Sequence, residues 1–170
     1  MILVRHTTPA GADGICYGRL DLALADSFET EAAAVRAALP PGPWRLISSP
    51  ATRCRLLAER LGQPVTLDPR LAEMDFGAWE GLRWDDIPRG ILDPWCADFV
   101  TARPPGGETF TELAARARAV AAEIAVRPDA AQTVAVTHSG VIRALVTAAR
   151  GLPLADAFTL SVPFGSVHIL

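Results

Sequence analysis

Apolar positions along the chain follow two rhythms. Short branched runs, at Ile2-Leu3-Val4, Trp44 to Ile47, Val65 to Leu67 and Thr133 to Thr137, come without polar alternation. That pattern suits strands buried on both faces of a parallel sheet. Between them, alanine-rich stretches with helical spacing predict helices over 29–39, 51–61, 109–126 and 141–150. Asp26 with Glu29, and Thr109 with Glu112, have the form of capping boxes, while Pro40-Pro41-Gly42-Pro43 and Gly62 act as stops. Last strands are expected at 158–162 and 166–170. From Gly77 to Thr109 both rhythms fail: glycines, prolines, Trp79, Trp84, Trp95 and the pair Asp85-Asp86 predict a small, partly helical cap. We read residues 1–170 as one domain with this cap inside it.

A chain of 170 residues is long enough to bury about 70% of its unfolded surface in a single core. Net charge is −3 and all 16 basic residues are arginine, so no basic face for nucleic acid is expected. Having no lysine excludes P-loop, Schiff-base and Ser-Lys chemistry. Three scattered cysteines, Cys16, Cys54 and Cys96, form no CxxC pair and read as packing residues in a reducing cytosol. No apolar run is long enough for a membrane span, and no charged leader precedes an apolar region, so a cytoplasmic protein without membrane contact is expected.

The chemistry gathers where strands end. The first strand exits into Arg5-His6 and the fourth into His138-Ser139-Gly140 ahead of a helix. In a parallel sheet, ligands bind beyond the carboxyl ends of strands, and a helix amino end favours an anion. Arg53 falls in the first turn of the second helix, where a cation opposes the helix dipole and calls for an anion nearby. Glu73 enters from the loop before the cap, and Glu80 is a second acid in the same segment. Two arginines, two histidines and a carboxylate suit a phosphate site with a nucleophile and an acid. Arg19 either reaches the ligand from its loop or is a solvated charge. Metal binding is not expected, because the arginines repel a divalent cation and no His-x-His or carboxylate cluster is present. A cysteine phosphatase is set aside, and no Gly-x-Ser-x-Gly elbow surrounds Ser139.

These segments resemble the histidine phosphatase superfamily, with its phosphoglycerate-mutase-like fold, and within it most closely the α-ribazole phosphatases of cobalamin synthesis. The resemblance rests on Val4-Arg5-His6-Thr7, Cys16-Tyr17-Gly18-Arg19-x-Asp21, Ser48-Ser49-Pro50 through Arg53-Cys54, Leu71 through Gly81, Pro105-Gly106-Gly107-Glu108 and Val136 through Arg143. It implies an α/β three-layer sandwich: a mainly parallel central sheet, helices on both faces and a small cap. It also implies His6 as nucleophile, Arg5, Arg53 and His138 as phosphate ligands, and Glu73 as proton donor, with Thr7, Ser139 and Arg19 as further substrate-binding candidates. Thr7 and Ser139 stand where the family usually has glycine. The implied activity is hydrolysis of a small-molecule phosphomonoester through phosphohistidine, without metal or cofactor, by a monomer or homodimer. α-Ribazole 5′-phosphate is the leading substrate candidate, with the three cap tryptophans and Tyr17 either stacking on its base or forming the cap's own core. No mutase activity is expected, since the span between Glu73 and His138 is short. A broad-specificity phosphatase, a protein phosphohistidine phosphatase and a non-catalytic phosphate-binding module are the alternatives.

Overall fold

The computed structural model describes residues 1–170. Its strands, β1 (Ile2–Arg5), β2 (Arg45–Ser48), β3 (Val65–Leu67), β4 (Thr133–Thr137) and β5 (Val167–Ile169), form one sheet in the order β3-β2-β4-β1-β5. All pairings are parallel except that of β5 with β1. The helices are α1 (Phe28–Ala38), α2 (Thr52–Arg60), α3 (Arg89–Ala97), α4 (Phe110–Ala125) and α5 (Ser139–Ala149).

The unbroken apolar runs supply both faces of the sheet. Ile2, Val4, Leu46, Val134 and Val136 point to one side and pack with Phe28, Val35, Leu57 and Leu61 around α1 and α2. Their neighbours Leu3, Ile47 and Ala135 point to the other, against Leu113, Ala117, Val120, Ile142 and Leu145 of α4 and α5. This strand alternation builds the expected α/β sandwich of helix, sheet and helix layers. Each fully buried aliphatic side chain contributes about 1.5–3 kcal/mol.

Register then sets the chemistry. Arg5 lies opposite Thr137, and the His6 amide donates to the Thr137 carbonyl at 3.0 Å. The Ser49 amide likewise donates to the Val136 carbonyl at 2.9 Å. The residues just past β1, β2 and β4 therefore meet along one edge of the sheet.

Several expectations are corrected. α1 starts at Phe28 with Ser27 ahead of it, and Asp26 makes no capping box; the Ser27 hydroxyl donates to Glu31 at 2.6 Å. The Thr109–Glu112 capping box does form. α5 begins at Ser139, not Val141, with His138 at its cap position. Residues 158–162 are not a strand: Leu154–Thr159 is a 3-10 helix that buries Ala157, because β5 already occupies the outer edge of β1. Cys96 is exposed, unlike the buried Cys16 and Cys54.

The cap consists of single 3-10 turns at Gly77–Trp79 and Trp84–Asp86 followed by α3. Trp79 and Trp95 are buried edge to face, 5.6 Å between ring centroids, so they are core and cannot stack on a ligand. Its two ends close on each other where Ala78 donates to Pro105 and Glu108 to Asp75, both at 2.9 Å. Gly77 permits that approach: its φ is +54°, and a Cβ there would meet the Pro105 carbonyl at 2.2 Å.

Candidate active site

His6 follows β1 and is almost wholly buried. Its Nδ1 lies 2.7 Å from the Thr7 carbonyl. A carbonyl only accepts, so Nδ1 carries the proton and Nε2 is left with its lone pair. Burial, foremost, and then the charge of Arg53 push the His6 pKa down to about 3, against the opposing Thr7 hydrogen bond. The ring is therefore neutral and nucleophilic across the physiological range. Burial is a larger cause of this than the neighbouring arginines.

Arg5 is fixed by donating to the Val162 carbonyl at 2.5 Å and by lying 3.8 Å over the Phe164 ring. It has no carboxylate partner within ion-pair distance, leaving its charge for an anion. Glu73 completes the site. Its carboxylate accepts from the Met74 amide at 3.0 Å, the Gly140 amide at 3.1 Å and the Ser139 hydroxyl at 3.3 Å, which ties it to the amino end of α5. A Cβ on residue 140 would stand 2.3 Å from Glu73 Oε1, so glycine is required there. Arg5, His6, Glu73, Ser139 and Gly140 line one cavity of about 200 Å³. Tyr17, Phe76, Trp84, Phe110 and Phe158 give it an aromatic wall.

Arg53 and His138 stand behind this cavity and do not line it. Arg53 is fully buried, donating to the Gly18 carbonyl at 2.7 Å and the Leu20 carbonyl at 2.9 Å. Its second terminal nitrogen donates to His138 Nδ1 at 3.2 Å, so His138 carries its proton on Nε2 and donates to Ser49 Oγ at 2.8 Å. Burial first, then the proximity of the His6 ring and the charge of Arg53, hold the His138 pKa well below the usual range. Its ring meets His6 edge-on at 5.1 Å. The Nε–H of Arg53 is buried without a partner, whereas a phosphoryl group could take the Nε2 proton of His138 only in place of Ser49. The anion that Arg53 calls for is supplied by Asp21, 3.5 Å away, which also accepts from the Thr52 amide at the start of α2.

Thr7 contributes its carbonyl to His6, while its hydroxyl is buried without a partner. Arg19 stays outside the cavity, donating to the Glu73 carbonyl at 3.1 Å and facing Glu108 at 3.7 Å. Glu80 is spent on structure: its oxygens accept from the amides of Arg19, Leu20 and Phe76. That leaves Glu73 as the carboxylate in the cavity. Cys54 and Arg60 have the Cys-x5-Arg spacing of cysteine phosphatases. Both lie on the continuous helix α2, with no phosphate loop between them, and burial raises the Cys54 thiol pKa.

Three participants were missed. Arg116 on α4 donates to the carbonyls of Arg70, Ala72 and Glu73 and pairs with Glu108 at 2.5 Å, fixing the loop that carries Glu73. Glu108, in the loop just before α4, also accepts from the Asp75 amide at 3.0 Å. Arg143 lines the cavity; its place four residues after Ser139, on the same helix face, was the available signal. No group of three or more His, Cys, Asp or Glu side chains is placed to hold a metal ion.

The chain is similar to known proteins along nearly its whole length. The glucosyl-3-phosphoglycerate phosphatase of Mycobacterium tuberculosis is 33% identical over 174 residues, covering 92% of this chain and 77% of that protein. The adenosylcobalamin/alpha-ribazole phosphatase of Salmonella typhimurium is 27% identical, covering 96% and 85%. The solved structure of a mycobacterial glucosyl-3-phosphoglycerate phosphatase complexed with VO3 superposes with a TM-score of 0.84 at 30% identity, covering 98% of this chain and 90% of that one. The family model of the histidine phosphatase superfamily (branch 1) matches residues 1–170. With a neutral histidine at the end of β1, an arginine beside it and an acid in the same cavity, the chain belongs to the histidine phosphatase superfamily.

Proposed function

We propose that the protein is a metal-independent hydrolase of small phosphomonoesters acting through a phosphohistidine at His6. The observation that carries this reading is the free Nε2 of a neutral, buried His6 in the same cavity as Arg5 and Glu73. In the first half-reaction Nε2 attacks phosphorus, the ester P–O bond breaks, and Glu73 gives its proton to the departing alkoxide. Arg5, held beside the nucleophile, neutralises charge on the phosphoryl oxygens, with Arg53 and His138 as a polar backing. In the second, water attacks phosphorus and its proton passes to Glu73. The N–P bond then breaks, releasing inorganic phosphate and restoring the lone pair. Ser139 and the Gly140 amide keep the Glu73 carboxylate in place for both steps.

The aromatic wall supports a small alcohol with a ring. α-Ribazole 5′-phosphate satisfies it through Tyr17, Phe76 and Trp84, although Trp79 and Trp95 are not available. The charge of Arg143 favours a second substrate type, an acid-bearing ester such as a phosphoglycerate derivative. A panel of p-nitrophenyl phosphate, α-ribazole 5′-phosphate, sugar phosphates and a phosphohistidine peptide, run with and without EDTA, tests the class. Turnover of the small esters unaffected by EDTA is expected. Activity restricted to the peptide, none at all, or loss restored only by added metal would contradict it.

A further inference from the structure

Two cations of the cavity, Arg5 and Arg143, form no ion pair with a carboxylate of the protein, and Arg5 is already placed beside the nucleophile. Arg143 is half-buried on α5, and its only hydrogen bond is from Nε to the Leu160 carbonyl at 3.3 Å. Its guanidinium lies 5.0 Å over the Phe158 ring. Three nearby arginines are each paired: Arg53 with Asp21, and Arg19 and Arg116 with Glu108. Glu73, the cavity's own carboxylate, is near enough to favour the charge of Arg143 but forms no ion pair with it, its oxygens accepting from Met74, Ser139 and Gly140. Holding a full charge in a partly desolvated, aromatic-lined space is costly unless an anion meets it.

The position of Arg143 separates its task from that of Arg5. Arg5 adjoins the nucleophile and packs on Phe164. Arg143 packs on Phe158, partly exposed, which joins Phe99 of the cap and Phe110 of α4 at 4.7 and 5.8 Å. That is the wall on which the alcohol of a phosphomonoester would rest. With Nε tied to Leu160, both terminal nitrogens remain as a planar fork suited to a carboxylate.

We propose that Arg143 binds a second acidic group on the alcohol part of the substrate, so that esters of acid-bearing alcohols are preferred over neutral ones, α-ribazole 5′-phosphate included. The proposal rests on the phosphomonoesterase reading above. A matched pair tests it: 3-phosphoglycerate and glycerol 3-phosphate differ only in a carboxylate against a hydroxymethyl group. A charge-assisted hydrogen bond predicts a wild-type preference for 3-phosphoglycerate of about tenfold to hundredfold in kcat/KM. In Arg143→Leu and Arg143→Gln that ratio should fall by about tenfold or more, whatever happens to the absolute rates. Arg150→Leu, which removes an equal charge at an exposed position, should keep the wild-type ratio. The idea is overturned if wild type shows no preference, or if the ratio survives in both Arg143 variants because both esters lose rate equally. Absence of p-nitrophenyl phosphate turnover in wild type would be a different failure, that of the phosphatase reading itself.

Discussion

At the scale of single residues, the account depends on protonation states set by burial. His6 and His138 are neutral because the fold withholds water from them, and neighbouring positive charge adds to the effect. His168, on β5, is less buried, and its pKa is lowered by desolvation and then by the charge of Arg150. With three histidines in the chain, their ring protons should be resolvable by NMR. As pH falls from 8 to 5, the His168 signals should be the first to move, while those of His6 and His138 stay still. Depressed native pKa values mean that below about 6.5 the unfolded chain takes up protons the native state refuses. Stability from these two residues is therefore fully present above that pH and is lost progressively toward the His6 value of about 3. Glu73 and Glu80 form the second residue-scale test. Glu73→Gln should lower kcat about 10²- to 10⁴-fold on poor leaving groups and less on p-nitrophenolate. Glu80→Gln, which weakens acceptors for three backbone amides, should instead lower thermal stability without that dependence on leaving group. A reversed pattern would exchange their roles.

At the scale of elements, the amino end of α5 is the part that converts backbone geometry into chemistry. Gly140 leaves room for the Glu73 carboxylate and donates its amide to it. Gly140→Ala should displace Glu73 and reproduce the leaving-group pattern of Glu73→Gln, although alanine favours the helix by about 1 kcal/mol. An equal loss on every substrate would point to general disruption of the cavity. This element also shows how much could be read in advance. Arg5, His6 and His138 were legible because an apolar run ending in a charged residue marks a strand exit by itself. Arg116 and Arg143 were not, since an arginine on an amphipathic helix has the same pattern whether it faces solvent or a cavity. The 158–162 segment failed for a related reason: its apolar character fits a strand, but whether an edge is free depends on β5, far away in sequence terms from the strand it pairs with. The cap tryptophans likewise carry no local mark separating core from ligand surface, and only packing assigns Trp79 and Trp95 to the core.

At the scale of the whole molecule, the sheet order places three strand exits at one edge, and the cap lies over the chemistry without supplying it. Two cores, one on each face of the sheet, hold β1 and β4 side by side; the His6–His138 pair is a consequence of that register. Residues from seven regions of the chain then meet in one small cavity, with Arg116 and Glu108 bracing the loop that brings Glu73. Such an assembly has a use if phosphorus is transferred to His6 and then to water. Rapid acid-free quenching of the enzyme during turnover of a ³²P-labelled ester measures that transfer directly. A label on the protein that survives alkali, is lost in acid, maps to His6 and is absent in His6→Ala is the result expected. Turnover with no such label, or wild-type activity in His6→Ala, would contradict the central claim.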